Sequence, residues 1–373
     1  MATIRDVARV AGVSIATVSR IYNGSSRVSK ETSERVLAVA AWMDYWPNSA
    51  ARSLTTSRTH TLGVLLPDLY GEFYSEIIRG IDHAARREEF QILVSSSHAD
   101  GAALVSVARS LRGRVDGLIV MAPDEGSAAA IGQITRKFPV VLINPRFNGD
   151  LCSTISIANY DGAHAMVRHL LGLGHRRIAM LKGPAGNVDA EERLRGYRAA
   201  LSEGGGELLP ALELQGDFTE SSGYRCAADL LRYHPRSTAV FAANDYMAVG
   251  LLSALGEAGL NVPGEMAVTG FDDIAVARYL RPPLTTVRVN AYELGERAVR
   301  QWAASNGNGA PASRGHEVLP TSLVVRGSCG AALSAATEEK SRRPRGGARG
   351  PERRGRPKDA ALHQRLQLPG APE

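Results

Sequence analysis

Apolar positions near the start of the chain recur at Ile4, Val7, Ala8 and Ala11, the stripe of a short amphipathic helix. Thr3 and Asp6 flank its first turn in capping-box spacing, and Gly12 supplies a stop. Ser14 is placed to cap a second helix, "IATVSRIY", with Val18 and Ile21 turned inward. "NGSS" then breaks the chain. Ser29 caps a third helix with Glu31 and Glu34 near its positive end, and Val36, Leu37, Ala40 and Met43 are its expected buried side. Three helices in under fifty residues make a small module. The exposed side of the second helix is odd: small, hydroxylated and tipped with Arg20.

"YWPNSAARSLTTSRT", Tyr45 to Thr59, reads as a linker containing barely two turns of helix after Pro47 and Asn48. So short a helix is unstable alone, since isolated helices need ~12–15 residues. From Thr61 the rhythm switches to strand, helix, strand. Strand-like runs are "LGVLLP", "FQILVSS", "VDGLIVMAP", "VVLIN", "RRIAMLKGP", "AVFAAND", "MAVTGFDD" and "TSLVVRG". Amphipathic stretches such as Phe73 to Arg87 and Tyr160 to Leu173 lie between them. Short buried strands alternating with helices predict parallel sheets covered on both faces, and roughly 270 residues of this pattern exceeds one sheet, so two lobes are expected. Beyond Gly330 the chain turns to "RRPRGGARGPERRGRPK", a composition expected to stay disordered.

Charge refines this division. The 373-residue chain carries +6 overall, but residues 1–60 hold a net +4 and residues 331–373 a net +5, leaving the middle at −3. A basic head and tail on a slightly acidic body suit contact with a polyanion at one end and a different task in the core. Three scattered cysteines, Cys152, Cys226 and Cys329, indicate neither a disulfide framework nor a zinc site. No signal-peptide-like run opens the chain and no 18-residue apolar run occurs, so a cytoplasmic protein with no membrane partner is expected.

The segments "TIRDVARVAGVSIATVSRIYNGSSRVS", "WPNSAARSL", "RVDGLIVMAP", "ERLRGYRAAL", "FAAND" and "VPGEMAVTGFDDIAVARYLRPPLTTV" stand in an order and spacing that resemble LacI/GalR-type transcriptional regulators over about residues 2–330. The resemblance implies an α-helical helix-turn-helix head plus an α/β two-lobe, periplasmic-binding-protein-like core with parallel sheets flanked by helices. Its divisions are a DNA-binding domain at 1–46, a hinge helix and linker at 47–60, an effector-binding and dimerisation core at 61–330, and a disordered basic tail at 331–373. In such a head the second helix enters the major groove, with Ser14, Ile15, Ala16, Thr17 and Arg20 nearest the base edges. Arg20 suits guanine or a phosphate, while Ile15 and Ala16 suit thymine methyls. The resemblance makes Ile15 and Ala16 the positions that vary with operator sequence, and makes Thr3, Thr17, Ser19, Asn23 and Ser29 backbone contacts. Asn48, Ala51 and Leu54 match a hinge helix that orders on operator DNA and wedges leucine into the minor groove. The bland alternatives are a plain three-helix bundle and an ordinary linker with one exposed leucine.

For the core the resemblance points to a small polar effector, carbohydrate-like or nucleoside-like, between the lobes. It assigns Arg193, Phe218, Asn244 and Asp272 to that effector, joined from the first lobe by the Leu69–Phe73 segment, with Phe73 foremost, and by Asn144 and Arg146. The alternative for Asn244 and Asp272 is helix capping, and for Arg193 a surface ion pair; His175 is expected to support a turn. Many relatives read "NPF" where this chain has Gly71-Glu72-Phe73, which brings a carboxylate near the cleft mouth. No hydrolase elbow, P-loop or zinc-protease motif is present and nothing calls for a cofactor, so an enzyme is not expected. A solute receptor would have no use for the head. The expected partners are double-stranded operator DNA, the effector and a second copy of the chain; the tail shows no leucine heptads of the kind that build tetramers. A corepressor-dependent repressor or an activator is the alternative within the family. The tail arginines either add salt-sensitive attraction to DNA or serve as a solubilising extension.

Overall fold

The computed structural model describes residues 2–22, 27–46, 58–146, 152–233, 235–306 and 315–331. Asn23, the hinge positions Asn48, Ala51 and Leu54, and the tail lie outside them.

The head is three helices, α1 (Ile4–Ala11), α2 (Ile15–Tyr22) and α3 (Lys30–Trp42), around Val7, Ala8, Ala11, Val18, Val36 and Ala40. Thr3 and Asp6 form a reciprocal capping box, and Gly12 closes α1 at φ +67°. Ser29 caps α3 through the Thr32 amide. One expected core residue is misplaced: Leu37 is 47% exposed. Val36 and Ala40 stand one turn apart on the stripe that meets α1, whereas Leu37 is rotated about 100° from Val36, off that stripe.

The first lobe holds β1 (Thr61–Leu66), α4 (Glu72–Arg87), β2 (Gln91–Ser96), α5 (Gly101–Ser110), β3 (Gly117–Met121), α6 (Ala128–Ile134), β4 (Val140–Ile143) and β5 (Ser153–Ile157). The second holds α7 (Asn159–Gly172), β6 (Ile178–Lys182), α8 (Val188–Gly204), β7 (Glu213–Gln215), α9 (Glu220–Arg232), β8 (Ala239–Ala242), α10 (Asp245–Glu257), β9 (Ala267–Asp272) and β10 (Thr285–Arg288). The chain returns to the first lobe for α11 (Ala291–Asn306) and β11 (His316–Leu319), then crosses again to β12 (Ser322–Val324). The sheets run β11-β5-β4-β3-β1-β2 and β12-β10-β9-β8-β6-β7. The first is parallel throughout; in the second, β12 runs antiparallel to β10, a departure from the all-parallel expectation. β12 follows the last crossing, with only Pro320 and Thr321 between it and β11, and it enters the second sheet from the edge.

Three crossings in one place make a hinge and leave a cleft between the strand ends. β5, β7, β10 and β11 escape the hydrophobic pattern because they are short and start on polar residues. β2 is an edge strand, with Leu93 and Val94 exposed. α4 and α11 approach so closely that a methyl on Gly80 would collide with the Tyr292 carbonyl and one on Gly295 with the Ile77 carbonyl.

Candidate functional site

Two surfaces carry chemistry. The first is α2. The Ser14 hydroxyl accepts from the Thr17 amide (3.1 Å) and shares a hydrogen bond with the Thr17 hydroxyl (2.9 Å), which fixes the start of the helix. Val18 is fully buried beneath it. What remains outside is Ser14, Ile15 (46% exposed), Ala16 and Arg20, with Thr17 and Ser19 half-buried beside them. Thr3 and Ser29 both act as helix caps, so any phosphate contact they make adds to a structural duty.

The second is a cavity of about 410 Å³ between the lobes, within the size range of small-molecule sites. Its wall is made from the carboxyl ends of strands, where open α/β sheets bind ligands. β1 leads into Asp68, β3 into Asp124, β7 into Asp217 and Phe218, β8 into Asn244, and β9 ends on Asp272. Phe73, Arg193, Phe218, Asn244 and Asp272 line it; Tyr70, Tyr74, His98, Asn187, Asp189 and Tyr246 also do, and only Tyr70 fell within a segment the sequence pointed to. Phe218, His98 and Asp272 hold φ values of +70°, +50° and +110°. Strained backbone of this kind persists only where surrounding structure over-determines it, and it clusters at ligand sites.

Arg193 lies at the centre. Its Nε donates to Asn159 Oδ1 (2.8 Å), its Nη1 donates to the Ala243 carbonyl (2.5 Å), and its guanidinium stacks 3.8 Å from the Phe271 ring centre. Its Nη2 stands 3.4 Å from Asp272 Oδ1, near enough for attraction but out of line for a hydrogen bond, so that buried oxygen has no donor. Asp124 Oδ2 is likewise buried without a partner, while Asp124 Oδ1 accepts from Asn187 Nδ2 at 3.3 Å. Burial pushes the Asp272 carboxyl up to about 7, opposed by Arg193 and assisted by Asp189. Burial pushes Asp189 up to about 6, against the pull of Arg193 and its bonds to Asn144 and Asn159. Asn244 is both things the sequence allowed. It caps α10 by accepting from the Met247 amide (2.9 Å), and its Nδ2 ties the Phe218 carbonyl at 2.9 Å to the cleft wall.

Asn144 and Arg146 are not in the lining. Asn144 is buried with both polar atoms engaged, donating to Asp189 Oδ2 (3.1 Å) and accepting from the Ile157 amide (2.8 Å). Arg146 pairs with Glu191 (3.1 Å) and donates to the Gly186 carbonyl (3.1 Å). Both bridge the lobes beside the cavity. Glu72 does the same: its Oε1 accepts from the Ala275 amide (2.6 Å), and its own amide donates to Tyr246 Oη (2.8 Å). The carboxylate at the cleft mouth is therefore engaged by the opposite lobe. His175 pairs with Thr238 Oγ1 (2.9 Å) at a turn. Among the described residues no cluster of His, Cys, Asp and Glu is arranged to hold a metal ion, and no helix is long and apolar enough to cross a membrane.

Residues 3–48 match the model of the bacterial regulatory proteins of the lacI family, and residues 167–329 that of the periplasmic binding protein-like domain. The chain is 36% identical to the ribose operon repressor of Escherichia coli (strain K12) over 304 residues, 80% of this chain and 91% of the relative. It is 34% identical over 304 residues to the HTH-type transcriptional repressor PurR of Haemophilus influenzae (strain PittEE), 80% of this chain and 89% of that one. The solved lac repressor dimer bound to operator and the anti-inducer ONPF superposes with a TM-score of 0.80 at 32% identity, covering 88% of this chain and 99% of that one.

Proposed function

The chain belongs to the LacI family of bacterial regulatory proteins, and from that premise we propose that it is a sequence-specific DNA-binding repressor controlled by a small polar effector held between its lobes. One observation carries the effector half: strained strand-end residues surround a 410 Å³ cavity whose buried Asp272 oxygen lacks a hydrogen-bond donor. The wall is built around an acceptor that a bound hydroxyl or amine would satisfy. Five of the seven assigned effector residues, Phe73, Arg193, Phe218, Asn244 and Asp272, act on the ligand directly. Asn144 and Arg146 act on lobe closure, as their cross-lobe bonds suggest.

The DNA half rests on the exposed face of α2. Ser14, Ile15, Ala16 and Arg20 face base edges, Thr3, Thr17, Ser19, Asn23 and Ser29 hold the backbone, and Asn48, Ala51 and Leu54 supply the hinge wedge. The protein acts as a homodimer, so that two α2 helices meet a two-fold operator. In support, apolar residues stand exposed on both lobes, Leu93 and Val94 on the first and Tyr224, Val276 and Tyr279 on the second. Effector binding changes the lobe angle. By linkage, whatever factor it imposes on operator affinity the operator imposes on effector affinity. The protein is cytoplasmic and no enzyme chemistry is assigned to the cleft; its relatives are repressors.

The test is fluorescence anisotropy of a duplex from the region upstream of the chain's own gene against a scrambled duplex, over a salt series, with wild type and Leu54→Ala. Tight sequence-dependent binding that the substitution weakens supports the reading. Equal, weak, purely salt-dependent binding to both duplexes, unchanged when pooled metabolites are added, would sink it.

A further inference from the structure

The chain entering the core is held beyond the end of its own strand ladder. β1 pairs with β3 from Leu62 opposite Gly117, and the Asp116 amide adds one more rung by donating to the Thr61 carbonyl at 2.8 Å. From there the Asp116 side chain takes over. Its Oδ1 accepts from the Thr59 amide (2.6 Å) and the Thr59 hydroxyl (2.8 Å), and its Oδ2 accepts from the His60 amide (2.9 Å). A carboxylate is an acceptor only, and here both oxygens are engaged by the two residues that lead from the linker into β1. His60 completes the seat. It holds φ +50°, its carbonyl accepts from the Gln91 amide (2.9 Å), and its ring lies 5.6 Å from that of Phe90.

The floor under this seat is tied to the seam between the lobes. α11 leaves a crossing at Ala291 and runs 16 residues, ~24 Å, to Asn306. Its Trp302 meets Phe90 edge-on at 5.1 Å and presses so closely on Gly117, the residue after Asp116, that a methyl there would collide with the indole. One helix thus has a crossing at one end and the Asp116 seat at the other. Asp116 itself stands at the amino end of β3, whereas the cavity opens at the carboxyl ends of the strands, so it is no part of the cleft wall.

Resting on the regulator reading above, we propose that Asp116 is a positioning residue for allosteric coupling: it fixes the linker to the first lobe at Thr59, so that a change in lobe angle is passed to the DNA-binding head. Without the carboxylate, the last hold on the entering chain is the His60 carbonyl on Gln91. Thr59 then keeps the bond from the Thr61 hydroxyl to its carbonyl (3.1 Å), which is local and does not tie it to β3. One more residue of free chain adds ~3.5 Å of reach, which absorbs shifts of ~1–2 Å, the scale on which packed elements signal. Coupling should therefore be lost while effector binding is kept.

The test uses the full chain, the upstream duplex and a small-metabolite extract of bacterial cells as the source of effector. Coupling is the factor, in either direction, by which the extract changes duplex affinity in fluorescence anisotropy. Effector binding is read separately, as the dilution titre of the extract in a thermal-shift assay. For Asp116→Ala the coupling factor should fall toward one, by about fivefold or more, while the titre stays within about twofold of wild type. The Thr59 and His60 amides should exchange with solvent about fivefold faster or more. Asp116→Asn keeps an oxygen for Thr59, loses the acceptor for His60 and should retain part of the coupling. A carboxylate that only stabilised the lobe would lower the melting temperature and leave the coupling factor unchanged. That result overturns the proposal, as does a titre that falls with the factor, or amide exchange that does not quicken. Should the alanine variant fail to fold, Asp116→Asn decides in its place, and coupling equal to wild type overturns the proposal. A wild-type chain that does not bind the duplex specifically, or whose binding the extract leaves unchanged, overturns the regulator reading, and the proposal falls with it.

Discussion

Neutralising Asp272 should make the ligand-free protein more stable, by an amount that grows as pH rises from 3.8 to about 7 and is constant above. Two buried carboxylates, Asp189 and Asp272, share one buried guanidinium, that of Arg193, so ionising both leaves one negative charge in excess. Burial and that excess lift Asp272 from an ordinary 3.8 to about 7. Each tenfold change in proton affinity is worth ~1.36 kcal/mol, so carrying the charge at pH 8 costs the fold roughly 4 kcal/mol. The sign follows from linkage. An acid whose pKa is raised on folding contributes stability below 3.8, and that contribution is lost as pH climbs through about 7. Asp272→Asn keeps the shape and removes the ionisation. The pull of Arg193 is already contained in that raised value, and an imperfect fit of the amide leaves a gain of ~1–3 kcal/mol, or a rise of roughly 3–8 °C in melting temperature for a chain of this size. Near pH 3.8, where the folded and the unfolded chain both begin to hold the proton, the difference should shrink towards zero. Calorimetry of the ligand-free full chain from about pH 4 to pH 8 measures this directly. A variant that melts below wild type at pH 8, or that differs from it by the same amount at every pH, would refute the argument that the empty cleft stores an unpaired charge. The same variant should lose stabilisation by effector, because Asp272 Oδ1 is an acceptor the wall itself leaves unmet.

Three further outcomes follow from particular contacts. Arg20→Ala should weaken binding to the specific duplex by about 10–100-fold while leaving the scrambled duplex nearly unaffected. An equal loss on both, with the salt slope reduced by about one, would reassign Arg20 to a phosphate. Glu72→Ala removes the acceptor for the Ala275 amide and should weaken the contact between the lobes of the ligand-free core by about 1 kcal/mol, read as a larger radius of gyration in solution scattering. Glu72→Gln, which keeps an oxygen there, should restore the wild-type radius; if alanine leaves it unchanged, the contact does not hold the lobes. Gly295→Ala drives a methyl into the Ile77 carbonyl on α4 and should lower stability by ~1–3 kcal/mol, measured by denaturant unfolding, whereas an unchanged midpoint would contradict so close a helix crossing.

Much of the fold is legible because its elements obey local rules. The Thr3–Asp6 box, the stop at Gly12 and the Ser29 cap are each satisfied within three or four residues, so sequence spacing alone states them. The central strands are continuous apolar runs, buried on both faces. β5, β10 and β11 are a different case. They lie beside the crossings between lobes and begin on Ser153, Thr285 and His316, and β11 pairs with β5, far earlier in the chain. Leu37 shows the limit of periodicity in a short bundle. A helix touching its module along one narrow stripe can leave a large apolar residue one step off that stripe in solvent.

The cleft divides along the same line. Asn244 and Asp272 were identified through family motifs, yet a purely physical rule would have reached them too. Both stand at the carboxyl ends of central parallel strands, where the crevice must open. Applied evenly, that rule also marks Asp68 after β1, Asp124 after β3 and Asp217 after β7, which the family motifs do not mark. Asp189 is hidden from both approaches. It sits in the first turn of α8, where an acid is ordinarily explained by the helix dipole, and its two partners, Asn144 from the other lobe and Asn159, come from distant segments. The excess of negative charge is thus a property of the sheet order rather than of any one segment. The core as a whole carries only −3, while the cleft wall gathers five aspartates from five separate elements around one arginine. A net charge averaged over the core conceals that concentration.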